Sequence, residues 1–315
     1  MALVEIHNLV KRYTSDGPNA VDDISFEIRE GEIFSLLGPN GAGKTTTISM
    51  VSTLLQPTSG TATVAGHDIQ AAPMAVRRNI GVVPQELALY SELSARENLR
   101  FWGEMRGLGG ASLQEEIDEK LALMDLTDRA KDRVETYSGG MKRRLNLAIG
   151  LLGNPPLVML DEPTVAIDPQ SRRYILDYVK ALNEKGASVL YTTHYMEEAQ
   201  ELSDRIGIID HGQLIALGTL DELTQLVGEH EMLVLELYQS EGGQALAEAV
   251  AGFEGIHQAS AENGEVVLNV DSAEATLPKV LTKAGNLDLS IRNIEIREPN
   301  LETVFLHLTG RALRD

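Results

Sequence analysis

Gly38 to Thr45 read GPNGAGKT and satisfy G-x-x-x-x-G-K-[ST] at every position. Glycines in this pattern let backbone N–H groups turn inward around a phosphate without a Cβ clash. Within the loop, Gly38, Pro39, Asn40, Gly41, Ala42 and Gly43 lead to Lys44, Thr45 and Thr46. Lys44 is placed to reach the β- and γ-phosphates of a nucleotide, and the Thr45 hydroxyl to meet Mg²⁺. A second acidic signal follows the apolar run Leu157 to Leu160, which ends in Asp161 and Glu162. Asp161 is the expected Mg²⁺ holder, through the ion's water shell. Glu162, in a dry site beside the γ-phosphate, is the expected general base for an attacking water.

Two further polar residues stand where short apolar runs end, and a third signal opens a helix. Gln85 follows Ile80 to Val83, where two roles are open: holding a Mg²⁺-bound water or sensing the γ-phosphate, against a plain loop amide. His194 closes SVLYTTH, and the order of the strands predicts that it faces the phosphate pocket. Ser138-Gly139-Gly140 opens a helical run and so forms a second anion-binding helix start. Lys142, Arg143 and Arg144 either add positive charge there or form a solvated helix face. Asp168 precedes Pro169 and a helix expected from about Arg172 to Lys185. Tyr13 reads either as a ring that stacks on a base or as an edge-strand aromatic.

The elements that must hold these residues are legible as hydrophobic periods. Ile33 to Leu37 is a buried strand leading into the glycine loop, and a helix starts near Lys44. LVEIHNLVKRY and AVDDISFEI alternate around the turn-rich TSDGPNA and predict an antiparallel pair. From Ser91 to Leu152 the period becomes helical, with a capping box expected at Ser112 and Glu115. Beyond Gly228 the pattern changes to β-α-β-β-α-β, the order of a ferredoxin-like sandwich, if IHQASA counts as a weak strand.

The 315-residue length suits about two domains, and 43% hydrophobic residues suffice for a real core. No apolar run reaches the length of a membrane span. MALVEIHNLVKRY reads as a strand, without a signal peptide's apolar core, and there is no cysteine; cytosol is the expected compartment. The net charge of −20, from 47 acidic and 27 basic residues, argues against a general nucleic-acid binder.

With Tyr13, GPNGAGKT, Gln85, YSGGM, LVMLDEP, Asp168 and His194 in this order, the chain resembles the ATP-binding cassette (ABC) family over residues 1 to about 225. The resemblance implies an α/β fold: a RecA-like P-loop NTPase core with an antiparallel β subdomain and a helical subdomain at about 88–153. It implies MgATP hydrolysis, with Tyr13 on adenine and Gly38 to Thr46 on phosphates and Mg²⁺. Gln85 would respond to a membrane partner, and Ser138 to Gly140 would grip the ATP of the other subunit. Asp161 would serve the metal, Glu162 would be the base, Asp168 would lie in the D-loop, and His194 would be the switch histidine. YSGGM and the ending EPNLETVFLHLTGR look like ATPase subunits of the daunorubicin-resistance type, which pair with a separate permease and export drugs, lipids or polysaccharides.

The implied partners are a second copy or a paralogous ATPase, and a permease that holds the protein on the inner face of the cell membrane. Residues 226–315 are expected to regulate or to stabilise a dimer. The alternatives are a soluble ABC ATPase acting on ribosome or DNA, and an ATP-binding regulator without hydrolysis. The first usually carries two cassettes or a long coiled-coil insertion; intact Glu162 and His194 oppose the second. One departure concerns Ala166, which stands where glycine is frequent, because alanine resists positive φ.

Overall fold

The computed structural model describes residues 1–226, 231–238, 240–262, 264–297 and 300–309. The expected change of pattern at Gly228 and the closing Gly310 and Arg311 lie outside them. The chain forms two units, divided between Thr219 and Leu220.

The first unit opens with β1 (Ala2–Arg12) and β2 (Asn19–Arg29), the antiparallel pair expected from the alternation. Then come β3 (Ile33–Leu37), α1 (Lys44–Val51), β4 (Ser59–Val64), β5 (His67–Asp68), α2 (Pro73–Arg78) and β6 (Ile80–Val83). A helical stretch follows, with α3 (Ala95–Met105), α4 (Gly110–Leu123) and α5 (Gly139–Gly150). β7 (Leu157–Asp161), α6 (Pro169–Glu184), β8 (Ser188–Thr193), α7 (Met196–Leu202), β9 (Arg205–Asp210) and β10 (Gln213–Gly218) complete it.

Strands β2-β1-β4-β5 make an antiparallel sheet, while β10-β9-β3-β8-β7-β6 make the main one. In the main sheet all neighbours from β9 to β6 are parallel, and β10 adds an antiparallel edge. Every residue of β3, β7 and β8 is buried, as a parallel sheet covered on both faces requires. The helical stretch packs Leu99, Ile117, Leu121 and Leu145 into one core with Val158, Leu160 and Tyr191.

Two local expectations change. The capping box is formed by Ser94 and Glu97 at the start of α3, not by Ser112 and Glu115. α4 already begins at Gly110, so Ser112 lies inside its first turn and its hydroxyl donates back to the Gly109 carbonyl. α6 begins at Pro169, earlier than Arg172, because Asp168 caps it and proline is pre-set for a first helical position.

The second unit contains α8 (Leu220–Gln225), β11 (Glu231–Leu237), α9 (Gly243–Val250), β12 (Ile256–Glu262) and β13 (Glu265–Val270). α10 (Ala273–Asn286), β14 (Ile291–Arg297) and α11 (Leu301–Thr309) follow. The sheet order is β12-β13-β11-β14, antiparallel throughout, so β11 to β14 form the ferredoxin-like sandwich, and IHQASA is a strand. Leu233, Leu235 and Leu237 pack with Leu246, Val250 and Val280 in its core.

Candidate functional site

Because β3, β6, β7 and β8 are parallel, their C-terminal ends lie along one edge of the sheet, where open α/β sheets bind ligands. Gly38 follows β3, Gln85 comes just after β6, Asp161 ends β7, Glu162 follows it, and His194 follows β8. Thus four stretches far apart in sequence meet through one topological fact.

The glycine loop has the backbone that its composition predicts. Gly41 and Gly43 have φ of +80° and +109°, a region that side chains disfavour. A Cβ on Gly43 would sit 2.6 Å from the Ala20 carbonyl oxygen, and one on Gly38 would strike the Ile209 carbonyl. The loop, with Thr45, Thr46, Ala20, Gln85 and Glu162, lines a cavity of about 340 Å³. N–H groups at the start of α1, one lysine, two hydroxyls and two nearby carboxylates form the donor set that suits a nucleotide phosphate with a hard divalent cation.

Lys44 is buried and its amine has three oxygen neighbours. It donates to Gly38 O at 2.6 Å and Pro39 O at 3.0 Å, and pairs with Glu162 Oε1 at 2.9 Å. The other carboxylate oxygen, Glu162 Oε2, lies 3.1 Å from His194 Nδ1. Glu162 therefore stands between the loop lysine and the histidine, with its own charge compensated. Its backbone takes φ +44°, a strained value for a side-chain-bearing residue. The Glu162 N–H donates to both the carbonyl and the hydroxyl of Thr192, each at 3.1 Å, and this fixes the turn. Thr192 Oγ1 also donates to Asp161 Oδ1 at 2.6 Å, so one hydroxyl orients both acids.

Other predicted residues lie apart from this cluster. Ser138 and Gly139 stand at the start of α5, where Gly139 is exposed, and neither lines the cavity. Ser138 caps α5 by accepting from the Met141 N–H. Asp168 is exposed as well; the hydroxyl and backbone N–H of Ser171 hold its carboxyl below the usual carboxylate range. Tyr13 stands just past β1, 62% exposed, with its hydroxyl 3.1 Å from Thr46 Oγ1. Ala166 does adopt positive φ, +58°, so alanine does not keep the turn before Asp168 out of that region.

Neither reading of the basic run describes Arg143. It is buried rather than solvated, and it donates to Gln85 O at 2.8 Å and Val165 O at 3.3 Å. Burial lowers the pKa of its guanidinium from the ordinary arginine value. One turn on, Asn146 donates to Pro84 O and accepts from the Ala88 N–H. Hence α5 grips the Gln85 loop by its main chain. Thr192, Arg143 and Asn146 carry no signal in the sequence, because each acts through backbone or side-chain partners more than twenty residues away.

The comparisons agree with this geometry. Residues 21–165 match the ABC transporter family model, and residues 218–309 match the C-terminal domain of DrrA1-3-like ATP-binding proteins. The chain is 44% identical to the linearmycin resistance ATP-binding protein LnrL of Bacillus subtilis (strain 168), covering 99% of this chain and 100% of that one. It is 39% identical to the daunorubicin/doxorubicin resistance ATP-binding protein DrrA of Streptomyces peucetius, over 99% and 94% of the two chains. A dimeric post-hydrolysis structure of the ATP-binding cassette MJ0796, bound to ADP and Pi, superposes with a TM-score of 0.63 at 27% identity, covering 69% of this chain and 98% of that one. With the phosphate loop, the two acids and the histidine on adjacent strand ends, and with relatives matched along nearly its whole length, the chain belongs to the ABC transporter family and carries a DrrA-like C-terminal domain.

Proposed function

We propose that this chain is the cytoplasmic ATP-hydrolysing subunit of an exporter. It acts as a dimer, with a second copy or a paralogous ATPase, and drives a separate membrane permease. The observation that carries this is the bridge from Lys44 through Glu162 to His194, built beside a phosphate loop with Asp161 alongside. The resistance functions of the relatives support the exporter assignment. Among the described residues no helix is long and apolar enough to cross a membrane. The path through the membrane is assigned to the permease.

The positions in the first unit support the following roles. The loop N–H groups and Lys44 bind the phosphates, Tyr13 stacks on the base, and Thr45 and Asp161 would hold Mg²⁺, with Gln85 lining the same cavity. Mg²⁺, when bound, neutralises charge on the phosphate oxygens. A phosphate oxygen offered to Lys44 competes with Glu162 Oε1 for the same amine. Once released, Glu162 accepts the proton of the attacking water, while His194 keeps hold of its second oxygen. Ser138, Gly139 and Gly140, with Asp168, serve the site of the facing subunit, and the C-terminal domain regulates or stabilises the dimer.

Glu162→Gln tests the reading. The amide keeps the shape and loses the base, so phosphate release falls roughly 10²- to 10⁴-fold while MgATP still binds. Near-normal phosphate release by this variant overturns it.

A further inference from the structure

The end of β8 carries two polar clusters on opposite faces. Successive side chains of a strand point to alternate sides. Thr192 and His194 meet the two acids, Asp161 and Glu162. Tyr191 and Thr193, on the other side, both donate to Glu198 Oε2, at 2.9 and 2.8 Å. The Glu198 side chain is fully buried, and its remaining oxygen accepts from Arg172 Nε at 2.7 Å. Thr193 Oγ1 in turn accepts from the Tyr195 N–H at 2.9 Å, closing the turn that contains His194. The Arg172 guanidinium lies over the Tyr195 ring, 4.6 Å from its centroid.

From this we infer that Glu198 is a positioning residue for hydrolysis: from the far face of β8 it fixes the height and tilt of His194, and so of the Glu162 carboxylate. The inference rests on the proposed role of Glu162 as the base. Glu198 touches none of the groups expected to meet the nucleotide. It grips the two residues that alternate with Thr192 and His194, so a slip on its side moves both of them. Its charge state also matters. Three donors converge on two oxygens, and a carboxylate accepts from all of them. A glutamine cannot: if its oxygen faces the two hydroxyls, its NH₂ meets the Arg172 N–H, and if it is flipped, two donors lose their acceptor. Through Arg172 the same carboxylate is tied to α6, the helix that Asp168 caps.

The test is a cycle in the full-length chain, reading kcat and KM for ATP hydrolysis in wild type, Glu198→Gln, His194→Ala and the double variant. Glu198→Gln is expected to lower kcat roughly tenfold to hundredfold, the scale of a small misplacement of reacting groups. KM for ATP should stay within about twofold, and the double variant should be no slower than His194→Ala alone. A Glu198→Gln enzyme at the wild-type rate, or losses that multiply in the double variant, overturns the inference while leaving the base assignment standing. A wild-type rate in both His194→Ala and Glu162→Gln sinks the functional reading instead. Should Glu198→Gln fail to fold, Thr193→Val removes one donor from the same carboxylate and is judged in the same cycle by the same criteria.

Discussion

The two units of this chain use similar materials to opposite effect. Each has a β-sheet covered by helices and a core of leucine, isoleucine and valine. The main sheet of the first is parallel, so its strand ends gather at one edge, and Gly38, Gln85, Asp161, Glu162 and His194 all sit there. In the second unit the strands are antiparallel and neighbouring ends alternate, so no such gathering of C-terminal ends occurs. Strand direction, rather than composition, separates the unit with a candidate active site from the one where none is found among the described residues.

Several substitutions would break or sharpen this contrast. The largest effect is expected from pairing two defective subunits. Lys44→Ala removes the amine proposed to bind the phosphates. In the proposed dimer, Gly139→Asp would place a carboxylate against the γ-phosphate held by the facing subunit, and it should fold, because a Cβ there meets no atom within 4 Å. In a two-fold dimer the mixed species gathers both lesions in one site and leaves the other intact. Mixed dimers of differently tagged subunits should then retain MgATP through gel filtration, whereas either variant alone should not. Equal retention by the mixed and parent species would remove the shared site.

Deleting the chain beyond Leu226 should change dimerisation, measured by sedimentation, yet leave nucleotide affinity within about threefold if the chemistry resides in the first unit. Complete loss of binding by a folded truncated protein would refute that allocation.

Core truncations should act unit by unit. Leu36→Ala in β3 and Leu235→Ala in β11 each remove a fully buried side chain, and each should cost about 2–5 kcal/mol. Only the first should weaken nucleotide binding; hydrogen exchange mapped along the chain would tell which unit has loosened. The smallest effect concerns Ala166. Its φ of +58° stores about 1 kcal/mol, so Ala166→Gly should not destabilise the fold and should loosen the turn before Asp168, visible as faster amide exchange there.

Much of the site is legible in the order of residues alone, for a physical reason. The phosphate loop and the two acids are local signals: a buried strand, then a polar residue at its end, is a pattern within one stretch of chain. The helix starts at Lys44 and Gly139 are equally local. Capping is less legible. Ser94-Glu97 and Ser112-Glu115 share the same S-x-x-E spacing, but an extended residue joined to Arg133 starts α3 at the first, while α4 has already started before the second. The buried polar contacts are not legible at all. Thr192, Arg143 and Glu198 acquire their meaning only from which strands and helices lie beside them, and a serine-like hydroxyl or a basic residue in sequence looks the same on a solvated face. Arg143 is the clearest case, since its neighbours Lys142 and Arg144 are both partly exposed while it is not.

The contact from Arg143 to the Gln85 loop has a practical meaning. The acceptors are main-chain oxygens, and every amino acid supplies one. The loop is therefore moored at points that mutation of residue 85 cannot remove. Whatever side chain is placed there inherits the same anchorage, so position 85 works like a socket: its chemistry can be exchanged while its address in the molecule stays constant.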